Sequence, residues 1–121
     1  AKTTAATKAA VPAQTKSAVT KSQANALKAA RQYLEFAAFS KAGLIEQLSA
    51  SAGSGYPKAD AVWAVNQLTD VDWKEQAVRA GQQYLDLTAF SRKALIQQLS
   101  SSAGSKFTVA EATYAADKLG L

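Results

Sequence analysis

From Ser22 onward, apolar residues recur at intervals of three and four, the period of a helix with one buried face. Ala26, Ala29, Ala30, Tyr33, Leu34 and Ala37 make the first such stripe and predict a helix over about 22–36. A second helix starts after Ser40, whose hydroxyl can accept from the free N–H groups of the next turn. Phe39 and Leu44 flank that cap in hydrophobic-staple positions, and Leu44, Ile45 and Leu48 form the apolar face. A loop over 49–55 ends it. Tyr56-Pro57 opens a third helix, with Pro placed for the first turn and Ala61, Ala64, Val65 and Leu68 on one side. The alternation that marks a strand is absent. Ahead of these helices, residues 1–22 hold no aromatic and no apolar stripe. That composition buries too little to offset its ordering entropy and predicts a flexible polar stalk rich in Ala, Thr and Lys.

The same pattern then returns. Residues 25–68 and 76–119 align without a gap at an offset of 51, and about 21 of the 44 aligned pairs are identical. Tyr33-Leu34 recurs as Tyr84-Leu85, Phe39-Ser40 as Phe90-Ser91, and Ser51-Ala52-Gly53-Ser54 as Ser102-Ala103-Gly104-Ser105. In the second copy Ser91 caps, Phe90 and Leu95 form the staple, and Thr108 with Glu111 makes a capping box; Asp72 and Glu75 are a further such pair. A period near fifty is a duplicated supersecondary unit. The prediction is an all-α chain: two tandem three-helix, helix-turn-helix-like repeats over 23–70 and 71–121, joined by a short or helical linker. Units this small stand near the lower limit for folding alone, so the repeats are expected to share an element or to pack together.

Composition narrows the chemistry. The chain has no cysteine, histidine or methionine, so it lacks thiolate and imidazole ligands and the commonest general base. The absence of methionine at position 1 leads us to expect that Ala1 follows an upstream segment. Lys2, Lys8, Lys16 and Lys21 are unopposed by any acid before residue 25, so most of the net charge of +5 lies in the stalk. Serines crowd 49–54 and 100–105 but have no histidine to activate them, and they fit helix-ending loops. Asp60 and Glu111 suit first-turn positions, where a negative charge meets the helix dipole. Gly53-Ser54-Gly55 is not a phosphate loop: its counterpart is Gly104-Ser105-Lys106, and neither follows a strand. We therefore expect no enzyme activity, no metal and no cofactor. A groove-reading third helix needs a positive field, yet Lys58 to Leu68 is neutral overall and its counterpart offers Glu111, Asp117 and Lys118. No specific nucleic-acid binding is expected, although the stalk lysines would attract polyanions weakly.

The candidate binding residues lie where the copies meet and where they match. Trp73 has no aromatic counterpart, its equivalent being Ser22, and Asp70, Asp72 and Glu75 surround it. Trp73 either fixes the angle between the repeats or presents an anchor to a partner. Glu35 and Asp86 are acids retained at equivalent positions.

Taken in order, Ala-x-x-Tyr-Leu, Phe-Ser-x-x-x-Leu-Ile-x-Gln-Leu and a glycine loop with an aromatic and Ala-x-x-Ala, all in tandem, resemble the Ltp-type host cell-surface lipoproteins of temperate phages of Gram-positive bacteria. Val71-Asp72-Trp73-Lys74-x-Gln76-Ala77 is similar to that family's inter-repeat segment. The resemblance covers residues 25–121. It implies a protein that confers superinfection exclusion, in which an incoming phage adsorbs but its DNA fails to enter. It further implies a lipid anchor on an N-terminal cysteine, absent from this chain, and a position on the outer face of the cytoplasmic membrane. The implied partner is a phage injection component, the tail tape measure protein foremost. A general cell-envelope binding or adhesion module on the same scaffold is the alternative.

Overall fold

The computed structural model describes residues 18–121. Six helices follow in order: α1 (Lys21–Phe36), α2 (Lys41–Ser49), α3 (Lys58–Asn66), α4 (Trp73–Leu87), α5 (Arg92–Ser100) and α6 (Val109–Lys118). No strand occurs among the described residues. The stretch expected to be a stalk falls mostly outside these residues; Lys21 and Ser22, at its end, already belong to α1.

The helix starts follow from their caps. Thr20 accepts from the Gln23 N–H while the Gln23 side chain accepts from the Thr20 N–H, a closed capping box that starts α1 at Lys21. Ser40 and Ser91 accept from the N–H groups of Gly43 and Ala94, and Thr108 with Glu111 closes a second box on α6. Two expectations need correction. Pro57 stands at the cap position of α3, not in its first turn, and provides no side-chain cap. Asp72 caps α4 by accepting from Lys74 and Glu75, but Glu75 does not return the bond, because its carboxylate accepts the Tyr114 hydroxyl at 2.8 Å.

Each trio of helices closes its own core. Ala30, Leu44, Leu48, Ala61, Val65 and Leu68 are buried in the first, and Ala77, Ala80, Leu95, Leu99, Phe107, Ala112 and Ala115 in the second. Small alanines on α3 and α6 let the helices approach closely, while leucines from α2 and α5 fill the centre. An aromatic pair closes one end of each core: Tyr33 meets Phe39 edge-on with ring centroids 5.8 Å apart, and Tyr84 meets Phe90 at the same separation. Behind each tyrosine the loop hydroxyl is bonded, Ser54 at 2.7 Å and Ser105 at 3.0 Å.

The loops after α2 and α5 turn in the same way. Ser54 and Tyr56 donate to the carbonyls of Gln47 and Leu48, and Ser105 and Phe107 to those of Gln98 and Leu99. Carbonyls that a helix end leaves without partners are thereby satisfied. A Cβ at Gly53 or Gly104 would stand 2.2 Å from the carbonyl oxygen of Gln47 or Gln98, so only glycine fits.

The repeats pack against each other, as their size required. Ser40 Oγ donates to the Ser105 carbonyl across the junction at 2.5 Å, and Ser40 is 1 % exposed. Lys106 Nζ lies 3.7 Å from a Glu46 carboxylate oxygen. Gly43 makes room for this approach, since a Cβ there would lie 2.9 Å from Ser40 Oγ and 3.4 Å from the Ser105 carbonyl. Ala38 of the first repeat packs on the second core, and Val71 and Trp73 pack on the first.

Candidate functional site

The junction gathers most of the acids singled out in the sequence. Glu35, Asp70, Asp72 and Glu75 line one open groove of about 360 Å³, together with Arg31, Leu34, Val71 and Gln76. Three elements build it: the last turns of α1, the 67–72 turn and the first turn of α4. The turn is tight because Leu68 donates to the Val65 carbonyl and Val71 to that of Leu68. All four acids are exposed, so they attract cations at a distance without a desolvation cost.

Each acid has a distinct local tie. Arg31 reaches Asp70 at 3.2 Å. That hydrogen bond, helped by one from the backbone, holds the Asp70 carboxyl below the usual aspartate range. Asp72 is spent partly on capping α4. Glu75 receives the Tyr114 hydroxyl from α6, and this bond raises the Tyr114 phenol above its ordinary pKa. Lys74 and Lys118 lie 5.5 and 5.6 Å from the centre of the Tyr114 ring, at cation–π distance. Glu35 takes part in no ion pair among the described residues.

Trp73 is half-buried against the first core, next to Val71. It joins the two repeats and also lines a shallow hollow with Asp70, Asp72, Lys74 and Glu111. Asp86 stands apart: it accepts from Gln82 one turn earlier on α4 and does not line the groove. The second repeat also lacks the ion pair that borders the groove in the first. Position 82 is Gln where the first repeat has Arg31, and Leu121 stands at the equivalent of Asp70.

Some of this arrangement escaped the sequence reading. Arg79 of α4 donates to the Leu34 carbonyl at 3.4 Å, so a cation from the second repeat reaches the end of α1. Ser40, Gly43, Glu46, Ser105 and Lys106 form the inter-repeat contact. Three pairs differ there, Gly43/Ala94, Glu46/Gln97 and Gly55/Lys106, but about half of all aligned pairs differ, so the sequence alone does not single them out. The acids of the third helices are held by contacts within the molecule. Asp60 accepts from Ser22, Glu111 caps α6, and Asp117 pairs with Arg92 at 2.7 Å. Among the described residues no group of acids could hold a metal ion, and no helix is long and apolar enough to cross a membrane.

The family model for host cell surface-exposed lipoproteins matches twice, over residues 21–68 and 72–119. The two matches coincide with the two three-helix units. The chain belongs to this family of surface lipoproteins. As a member it is a cell-surface protein and not an enzyme. Among solved structures it is similar to Ltp, a superinfection exclusion protein from the Streptococcus thermophilus temperate phage TP-J34. The identity is 32% and the TM-score 0.72, covering 83% of this chain and 97% of that one. A search of curated proteins gives no significant match.

Proposed function

We propose that this lipoprotein-family chain is a superinfection-exclusion protein that stops incoming phages from injecting their DNA. The observation that carries the reading is the likeness to Ltp, which spans both repeats and nearly the whole of that structure. The chain acts by binding, on the outer face of the cytoplasmic membrane of a Gram-positive host, where a lipid anchor holds it. Its target is an injection component, with the tail tape measure protein as the partner. Tethering in the layer where injection occurs raises the local concentration of both repeats. The binding face is the acidic junction of Glu35, Asp70, Asp72 and Glu75, with Asp86 as a further acid on α4. Trp73 positions that face by locking α4 to the first core. Complementary charge of this kind steers encounter and selects the partner.

A protection assay tests this. The chain is displayed behind a lipoprotein signal with an anchoring cysteine, and cells are challenged with a panel of phages while adsorption and DNA injection are scored separately. Normal adsorption with blocked injection for some phages is the expected result. Injection by every phage would sink the exclusion reading and leave a general surface-binding module. Protection that survives Asp70→Asn with Glu75→Gln would remove the junction as the binding face.

A further inference from the structure

The two repeats are unequal in what each supplies to the other. Val71 and Trp73, at the start of the second, pack on the first core, and Arg79 donates to the Leu34 carbonyl at the end of α1. In return the first repeat lends the second core Ala38. The Ser40–Ser105 bond and the Glu46–Lys106 approach are shared between them. Extended packing of helix on helix is confined to each repeat, so these few contacts are what joins the two.

The first repeat is also the weaker by itself. α6 starts with the Thr108–Glu111 capping box, whereas Pro57 gives α3 no side-chain cap. Phe107 is buried in the second core, and its counterpart Tyr56 is half-buried against the first. Each repeat carries one glycine within a helix, a residue that weakens a helix relative to alanine. The space at Gly81 is taken up by Leu95, Leu99 and Leu119 of its own repeat. Gly43 instead makes room for the Ser105 carbonyl, so its benefit depends on the second repeat being in place. Each repeat has one exposed ion pair, Arg31–Asp70 or Arg92–Asp117, and pairs of that kind do not decide the balance.

We propose that the first repeat is a local-opening unit that the second repeat holds shut. The stability of tandem units is the sum of what each has alone and what their contact adds. A unit that is weak alone but firmly held opens by itself while its neighbour stays folded. The consequence falls on the groove between them. Arg31, Leu34 and Glu35 form its α1 wall, and Asp72, Glu75 and Gln76 form the wall at the start of α4. Opening takes away the first wall and leaves the second. The groove is therefore a property of the closed form, and a ligand that touches both walls favours that form. Only this last step rests on the junction as the binding face; the opening is independent of it and of phage exclusion.

The test is amide hydrogen exchange of the 121-residue chain, read on α2 and α3 against α5 and α6, where rate follows the opening equilibrium. In the parent, the slowest amides of α2 and α3 should exchange about tenfold or more faster than those of α5 and α6. Thr108→Ala removes a cap in the second repeat and should speed α5 and α6 about fivefold. α2 and α3 should keep their rates, because they open with the second repeat still folded. Trp73→Ala weakens the contact, which holds both units, and should speed all four helices by one common factor of about ten. Arg79→Gln should do the same on a smaller scale, about twofold, and serves if Trp73→Ala does not fold. If Thr108→Ala speeds α2 and α3 along with α5 and α6, the chain unfolds as one block and the proposal fails. It fails also if the parent's first repeat is not the faster, if Thr108→Ala speeds neither repeat, or if the contact variants speed the two repeats unequally.

Discussion

Ser40 and Ser91 occupy one position in the two repeats and cap their helices through the same amide, three residues on. Ser40 is nonetheless buried while Ser91 is exposed. The difference is not in the serine; it comes from the Ser105 carbonyl, which reaches Ser40 from the other repeat through the space that Gly43 leaves. Duplication has kept the core and its aromatic closure almost unchanged, down to matching ring geometries. What diverges is the outer dressing. α6 is started by a capping box where α3 has only Pro57. The first and third helices are tied by Ser22–Asp60 in one repeat and by Glu75–Tyr114 in the other. A shared fold is thus compatible with different duties for the same residue, decided by its place in the tandem.

The sharpest way to break this comparison is in the cores. Leu44→Ala and Leu95→Ala should each cost about 2–5 kcal/mol, because both leucines are fully buried. The two losses should match in urea melts with amide exchange read repeat by repeat; a clear inequality would show that the cores are not equivalent. Next come the serines. Ser91→Ala should cost about 1 kcal/mol, the worth of a cap, and Ser40→Ala roughly 1 kcal/mol more, the worth of a further hydrogen bond. Equal costs would mean that the contact between repeats is not held in solution.

A smaller effect separates the third helices. Thr108→Ala should lose about 1 kcal/mol, whereas Pro57→Ala removes no side-chain cap and should cost less. The smallest effect is on pH. Tyr114 has a folded-state pKa raised by its bond to Glu75. Its contribution is fully present below the pKa of an unfolded tyrosine, about 10, and is lost as pH rises through the higher folded value. Trp63, its equivalent, cannot titrate. Tyr114→Trp should therefore remove that alkaline decline in a pH series of thermal melts, and an unchanged slope would assign the decline elsewhere.

Helix positions were legible because several signals agreed: the apolar stripes, the Ser40, Ser91 and Thr108 caps, and the second copy confirming the first. The start of α1 was missed by one residue, although Thr20-x-x-Gln23 carries the capping-box pattern. Glu75 was misassigned because the local pattern fits a box, while a residue 39 positions away claims its carboxylate. The acidic junction was visible as a cluster between repeats, but its groove needed α1 placed beside the turn. Asp86 looked like Glu35 by alignment, yet it is Glu35 that lies beside the 67–72 turn and α4, which build the groove.

Three departures from the repeat line the contact between its copies, and one carries a backbone cost. Lys106 adopts φ 64 where the first repeat has Gly55 at φ 70, a conformation that glycine reaches more easily than lysine. A head-to-tail contact of this type, if available at both ends, would add molecule to molecule in an open filament. The outer faces lack what it needs. Ala94 has a Cβ where Gly43 leaves space, Gln97 has no charge where Glu46 has one, and Gly55 has no side chain where Lys106 extends. The outer faces of the two repeats are therefore not matched for that contact.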